Sequence, residues 1–236
     1  MAGRLVSIEG ISGVGKTTLT GPLVDLLRRR GQQVLSLEGF SQRTLTAGRD
    51  LGPDILRALT DAAAGDPFLR GGHPGTETLL LLAVKTYDYE HHCVPALRDG
   101  YVVVEGRSLH TTAVYQSLIL HPDDDHQALT EAREILELAV HFRPLPDLTL
   151  LLADDVAACI DRLERRDRRH CPPEQRQLHH RADWLFAQLA HTDCEHMRVI
   201  DRRGADPGAA VEQMLALITH IAPGSGPTPE THRDQT

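Results

Sequence analysis

The sequence predicts an α/β protein of three layers, α/β/α, built on a mainly five-stranded parallel sheet. Two observations carry this. Short apolar runs rich in Val, Leu and Ile alternate with longer stretches of helical periodicity, the pattern of a parallel sheet covered on both faces. The first such run ends in a glycine-rich turn, Gly10-Ile-Ser-Gly-Val-Gly15-Lys16-Thr17, that opens directly into a helix. The 236 residues suffice for one domain of this kind with a full core. Aromatic residues make up only 4%, so Leu, Val, Ile and Ala must fill that core.

Residues 4–9 alternate and read as a buried first strand. Residues 16–30 place Leu19, Leu23, Leu26 and Leu27 at helical spacing, and Gly31 marks the stop. Residues 33–37 form a second strand, completing a βαβ-type opening. A helix at 50–63 precedes a Gly/Pro-rich loop at 65–75, which holds Phe68, Arg70 and His73, and then a long apolar helix at 76–92. Residues 101–104 are the third strand. Helices follow at 111–120 and 126–141, and a strand at 148–152 comes after the Pro144 and Pro146 break. A helix at 156–166 runs into a basic, breaker-rich stretch, read as a short mobile lid at about 165–174. Helix 174–191, strand 198–200 and helix 209–221 close the domain, 1–221. Residues 222–236 are polar and Pro-rich and read as a disordered tail.

A formal charge of −8 argues against a general nucleic-acid binder, which needs a basic surface to displace counterions. Local arginine clusters can still hold a small anion. Cys93, Cys159, Cys171 and Cys194 lie far apart without CxxC spacing, and no signal-peptide pattern opens the chain. The longest apolar run, around Leu79 to Val84, is too short to span a bilayer. These features predict a cytoplasmic protein with no membrane and no nucleic-acid partner.

The turn at 10–17 fits GxxxxGK[ST] at every fixed position, in the strand–turn–helix context the motif requires. Gly10, Ser12, Gly13, Val14 and Gly15 let backbone N–H groups curl around a β-phosphate, and Thr17 and Thr18 open a helix whose N-terminus favours anions. Lys16 is expected to neutralise β/γ-oxygens of ATP, and the Thr17 hydroxyl to ligate Mg²⁺. Lys16 and Lys85 are the only lysines among 25 Lys and Arg residues, so a compact point charge sits where one is wanted. Tyr101-Val-Val-Val-Glu105 is an apolar strand ending in an acid. Parallel strands end at one edge, which would bring Glu105 near the phosphate loop as a second Mg²⁺ contact through water. Switch GTPases read guanine with an NKxD motif, and this chain has no asparagine.

Beyond the phosphate loop, the sequence resembles the thymidylate kinase family over roughly residues 4–218. The resemblance rests on Ile8-Glu9-Gly10, on Thr76-Glu-Thr-Leu-Leu-Leu-Leu-Ala-Val-Lys85 leading to Pro95-Ala-Leu97, and on Gly106-Arg107-Ser108 through Tyr115-Gln116. Pro146-Asp147-Leu-Thr-Leu-Leu-Leu152 and Val199-Ile200-Asp201 complete it in matching order. It implies that Arg107 holds the acceptor's phosphate and that Tyr115, with Thr112 close by, packs near the sugar. Arg162 and Arg166 match lid arginines that stabilise the transferring phosphoryl. A homodimer built on helix faces is implied too.

The departures from the family pattern cluster on the acceptor side. Leu37-Glu38-Gly39 stands where the family has Arg-Glu-Pro, and Ser12 replaces an acid. Leu81 falls where a stacking Phe is found, Lys85 where a base-reading Arg is found, and Gly106 replaces the Asp of DRY. Loss of an aromatic platform costs on the order of 1–3 kcal/mol of base binding. Two enzyme readings stay open: a nucleoside monophosphate acceptor, with dTMP the default, or the hydroxyl of a nucleoside or related metabolite with Glu38 as base. A nucleotide-binding module without transfer activity is the third.

Overall fold

The computed structural model describes residues 3–37 and 50–221, so Glu38 and the segment 222–236 lie outside the described residues. Five strands, β1 Arg4–Glu9, β2 Val34–Leu37, β3 Val102–Gly106, β4 Leu148–Ala153 and β5 Met197–Asp201, form one sheet in the order β2-β3-β1-β4-β5. Every neighbouring pair is parallel. Strand β1 lies centrally and is buried almost throughout, as a strand covered on both faces must be. Val6, Ile8, Val104 and Leu150 are fully enclosed. Ser7 and Thr149, also fully buried, satisfy each other across β1 and β4 at 3.1 Å.

Nine α-helices surround the sheet among the described residues: α1 Lys16–Arg29, α2 Leu51–Ala62, α3 Pro74–Asp88, α4 Val94–Arg98, α5 Leu109–Leu120, α6 Asp125–Ala139, α7 Val156–Asp167, α8 Pro173–Thr192 and α9 Pro207–His220. Helix α1 packs with α9, whereas α5 packs against α3, α6 and α8. Helix α5 is buried nearly all round, which its apolar sequence allows.

The element order matches the expectation, and the differences are local. Helix α3 starts earlier, at Pro74, a residue whose fixed φ and missing N–H suit a first turn. It then passes through a π-helical turn, Tyr89–Cys93, into α4. Strand β3 runs two residues further, to Gly106, because Glu105 and Gly106 pair with Ser7 and Ile8 of β1. The stretch expected as a lid at 165–174 consists of the end of α7, a link over 168–172 and the start of α8. Glu164 ties that link down, accepting from the Cys171 N–H at 2.7 Å and pairing with His170 at 2.9 Å and with Arg176.

Candidate active site

Gly10, Gly13 and Gly15 take φ values of +127°, +81° and +97°, which side chains resist. At Gly13 the space is closed as well: a Cβ would lie 2.0 Å from the carbonyl oxygen of Cys159 on α7. The loop's own carbonyls are engaged by cations. Lys16 Nζ donates to the carbonyls of Gly10 at 2.6 Å and Ile11 at 2.7 Å. Arg162 Nε donates to that of Gly13 at 2.8 Å, and Arg202 to that of Val14 at 2.5 Å. In a trans peptide the C=O and N–H point opposite ways, so the Val14 carbonyl, drawn to Arg202, turns the following Gly15 N–H to the other side. Val14 itself is buried in the core, while Thr17 and Thr18 stand exposed on the first turn of α1. Enclosure by the loop, and then the charge of Arg107, push the Lys16 ammonium well below its ordinary pKa. A bound polyphosphate would remove that penalty.

Beside the loop lies a cavity of about 670 Å³ whose walls include Ser12, Phe68, Leu81, Arg107, Tyr115 and Arg166. Arg107 follows β3 in a left-handed conformation, φ +66°, which costs a non-glycine residue about 1 kcal/mol or more. Its N–H reaches the Ile8 carbonyl at 3.2 Å and its guanidinium reaches Ser12 Oγ at 2.9 Å. One arginine thus joins the cavity wall to the phosphate loop. Tyr115 is buried beside it, and burial raises its hydroxyl to about 12.

The loop before α3 is an ordered part of this wall. Asp66 accepts from the Phe68 N–H at 2.8 Å and pairs with Arg70 at 2.6 Å, while Glu77 accepts from the N–H groups of Gly71 at 2.8 Å and His73 at 2.9 Å. These bonds present the Phe68 ring to those of Tyr115 and His179, with centroids 5.3 Å and 5.6 Å away. The Arg70 guanidinium covers Phe68 at 5.6 Å. Burial, then repulsion by Arg107 and Lys16, lower the His179 pKa to about 4, so its ring is neutral near pH 7.

A model of the thymidylate kinase family matches residues 8–205. The chain belongs to the thymidylate kinase family. A curated thymidylate kinase of Clavibacter sepedonicus is 30% identical over 85% of this chain and 88% of its own length. One from Jannaschia sp. (strain CCS1) is 34% identical over 90% and 94%. The crystal structure of thymidylate kinase from Ehrlichia chaffeensis shares the fold, with a TM-score of 0.62 at 18% identity over 93% of this chain and 99% of that one. As a thymidylate kinase family member the chain is a nucleotide kinase, an ATP-dependent phosphotransferase.

Within this family frame the structure brings Ser12, Lys16, Leu81, Arg107, Thr112, Tyr115 and Arg166 to the junction of loop and cavity. Arg162 stands apart from the cavity wall, behind the phosphate loop, fixed between the Gly13 carbonyl and Asp154 at 2.7 Å. Glu105, expected to face Mg²⁺, turns inward. It accepts from Lys85 at 3.1 Å and from Arg143 at 3.0 and 3.2 Å. Burial alone would raise its pKa, but Arg143 and Lys85 outweigh burial and hold it at about 2. Lys85, expected at a base-reading position, lines the cavity, and its almost fully buried ammonium joins that same ion group. The inward turn of Glu105 has a plain cause: two cations and an acid enclosed together must pair.

Four residues of the site carried no role in the sequence reading. Glu9 ends β1 and accepts from the N–H of Ser108 at 2.6 Å, its Oγ at 2.7 Å and the Thr111 hydroxyl, anchoring the start of α5 beneath the loop. An acid immediately ahead of a phosphate loop is a usable signal for such an anchor. Arg143, His179 and Arg202 gave none, since each meets its partners across the fold.

Proposed function

We propose that the protein transfers the γ-phosphoryl group of ATP to thymidine monophosphate. The observation that carries this reading is the contact between Arg107 and Ser12. It sets a cation for the acceptor's phosphate against the loop that cradles the donor's. Two phosphates brought that close are in reach of direct transfer, and the chemistry then rests on positioning and on charge stabilisation. Lys16 takes the charge of the β/γ-oxygens, and Arg166, on the cavity wall, that of the transferring group. An anionic acceptor also suits a cavity edged by Arg107 and Arg166 better than a neutral hydroxyl compound does.

Mg²⁺ fits this site through the Thr17 hydroxyl, the nucleotide's own phosphates and water, the mixed shell this ion favours. The Glu105 carboxylate, engaged by two buried cations, does not suit a direct ligand. When bound, the ion screens the phosphate charge; Lys16 and the loop N–H groups hold the donor in place.

No helix among the described residues is long and apolar enough to cross a membrane. The four free cysteines support a reducing, cytoplasmic setting. Exposed Leu79 on α3 and Leu138 on α6 support a homodimer built on helix faces, which sedimentation equilibrium tests.

The deciding experiment follows ADP formation with Mg-ATP and a panel of nucleosides and nucleoside monophosphates. Selective turnover of dTMP is expected. Turnover of unphosphorylated acceptors alone would replace this reading with a hydroxyl kinase, for which Glu38 is the candidate base.

A further inference from the structure

At the inner wall of the cavity, which Lys85 helps to line, three charged side chains from distant parts of the chain meet. Lys85 comes from α3, Glu105 from β3, and Arg143 from the segment between α6 and β4. Each is about 2% exposed or less. Arg143 also donates to the Lys85 carbonyl at 3.4 Å and lies 5.1 Å over the ring of Tyr89. A group held this way is rigid, because any rotamer change would leave a charge unpaired in the interior.

One further bond gives this group a bearing on the reaction. Besides Glu105, the Lys85 ammonium donates to the backbone carbonyl of Arg107. Arg107 occupies the left-handed region, and residues in that region persist only where their surroundings over-determine them. Its N–H is bonded to Ile8 and its carbonyl to Lys85, so the peptides on both sides of the strained residue are fixed. The side chain between them is the one that reaches Ser12 at 2.9 Å.

We propose that Lys85 is a positioning residue: with Glu105 and Arg143 as its support, it clamps the Arg107 carbonyl and thereby aims the Arg107 guanidinium at the acceptor's phosphate. Lys85 then acts on every monophosphate acceptor alike, through backbone geometry, and takes no part in reading the base. This rests on the reading of Arg107 given above.

The test is a double-mutant cycle on the full chain with Lys85→Met, Arg107→Ala and both together. Acceptor and ATP constants are measured for dTMP, dUMP and dCMP. Lys85→Met is expected to raise the acceptor KM about tenfold for all three monophosphates, with the ATP KM within about twofold. In the Arg107→Ala background it is expected to add less than about twofold, because the group it aims is gone. Lys85→Gln, which loses the charge but keeps an N–H donor, is expected to recover much of the acceptor KM. If Lys85→Met does not fold, Lys85→Leu, which also lacks the N–H donor, carries the same cycle. Additive effects, or a change in the ratio among the three bases, would overturn the proposal, the second by making Lys85 a base reader. A wild-type acceptor KM in Arg107→Ala alone would strike at the role of Arg107 instead.

Discussion

The ring of Phe68 lies 5.3 Å from that of Tyr115, tilted by 30°. Phe68 belongs to the loop ahead of α3, while Leu81, on α3 itself, offers the cavity no ring. The aromatic surface of this cavity therefore comes from a different element than the family pattern led one to expect. Phe68→Ala should raise the acceptor KM by roughly fivefold, the scale of an aromatic pair worth about 1 kcal/mol. The ATP KM should stay within about twofold. Steady-state kinetics in both substrates checks this, and equal rises in both constants would make Phe68 only a packing residue.

The donor site predicts a different response. Lys16→Ala should lower kcat by at least about a thousandfold, since positioned charge supplies most of the rate in phosphoryl transfer. It should also weaken ATP binding in calorimetry. Near-normal turnover would remove Lys16 from the donor site.

Gly13 and Arg202 test the shape of the loop and leave Lys16 in place. Gly13→Ala puts a methyl group onto the Cys159 carbonyl and forces a side chain to φ +81°, so ATP affinity should drop by tenfold or more. Arg202→Met frees the Val14 carbonyl and should raise the ATP KM severalfold, with the acceptor KM unchanged. Titration of both variants with a nonhydrolysable ATP analogue reads each effect directly.

Acid should destabilise the fold in two stages. His179 has a folded pKa of about 4, below the ordinary value of 6.5, so the unfolded chain takes up a proton first. Its contribution is intact above pH 6.5 and is lost as pH falls toward 4. Glu105, held at about 2 against an ordinary 4.5, adds stability above pH 4.5 that is lost as pH falls toward 2. Urea midpoints measured from pH 7 to pH 3 should decline across both ranges. His179→Phe should flatten the upper one, and an unchanged upper slope in that variant would clear His179 of the effect.

The fold was legible because the chain's local signals agree with its topology. Apolar strand runs, leucine spacing in α1 and the loop glycines all point to a parallel sheet with a phosphate loop at its edge. The donor side was legible for the same reason: residues 10–18 are contiguous and bring their own geometry. The acceptor side was not. Glu105 looked like an acid facing a metal because its strand pattern places it correctly. What redirects it is Arg143, 38 residues later, whose position no local pattern reveals. Phe68 and Arg70 sit in a loop that the sequence marks only as rich in Gly and Pro, and only the hydrogen bonds of Asp66 and Glu77 show where they go. Arg162 and Arg166 read as equivalent lid arginines four residues apart. On α7 they part company, one behind the phosphate loop and the other on the cavity wall.

The cations that hold the phosphate loop are also far apart in the chain. Arg162 reaches Gly13 across 149 residues and Arg202 reaches Val14 across 188. A growing chain therefore makes its nucleotide motif first and braces it last. Until Arg202 has been synthesised and β5 has docked, the Val14 carbonyl has no brace from the chain's far end. The two arginines that brace the loop thus come from the chain's last third, although every residue of the motif lies among the first eighteen.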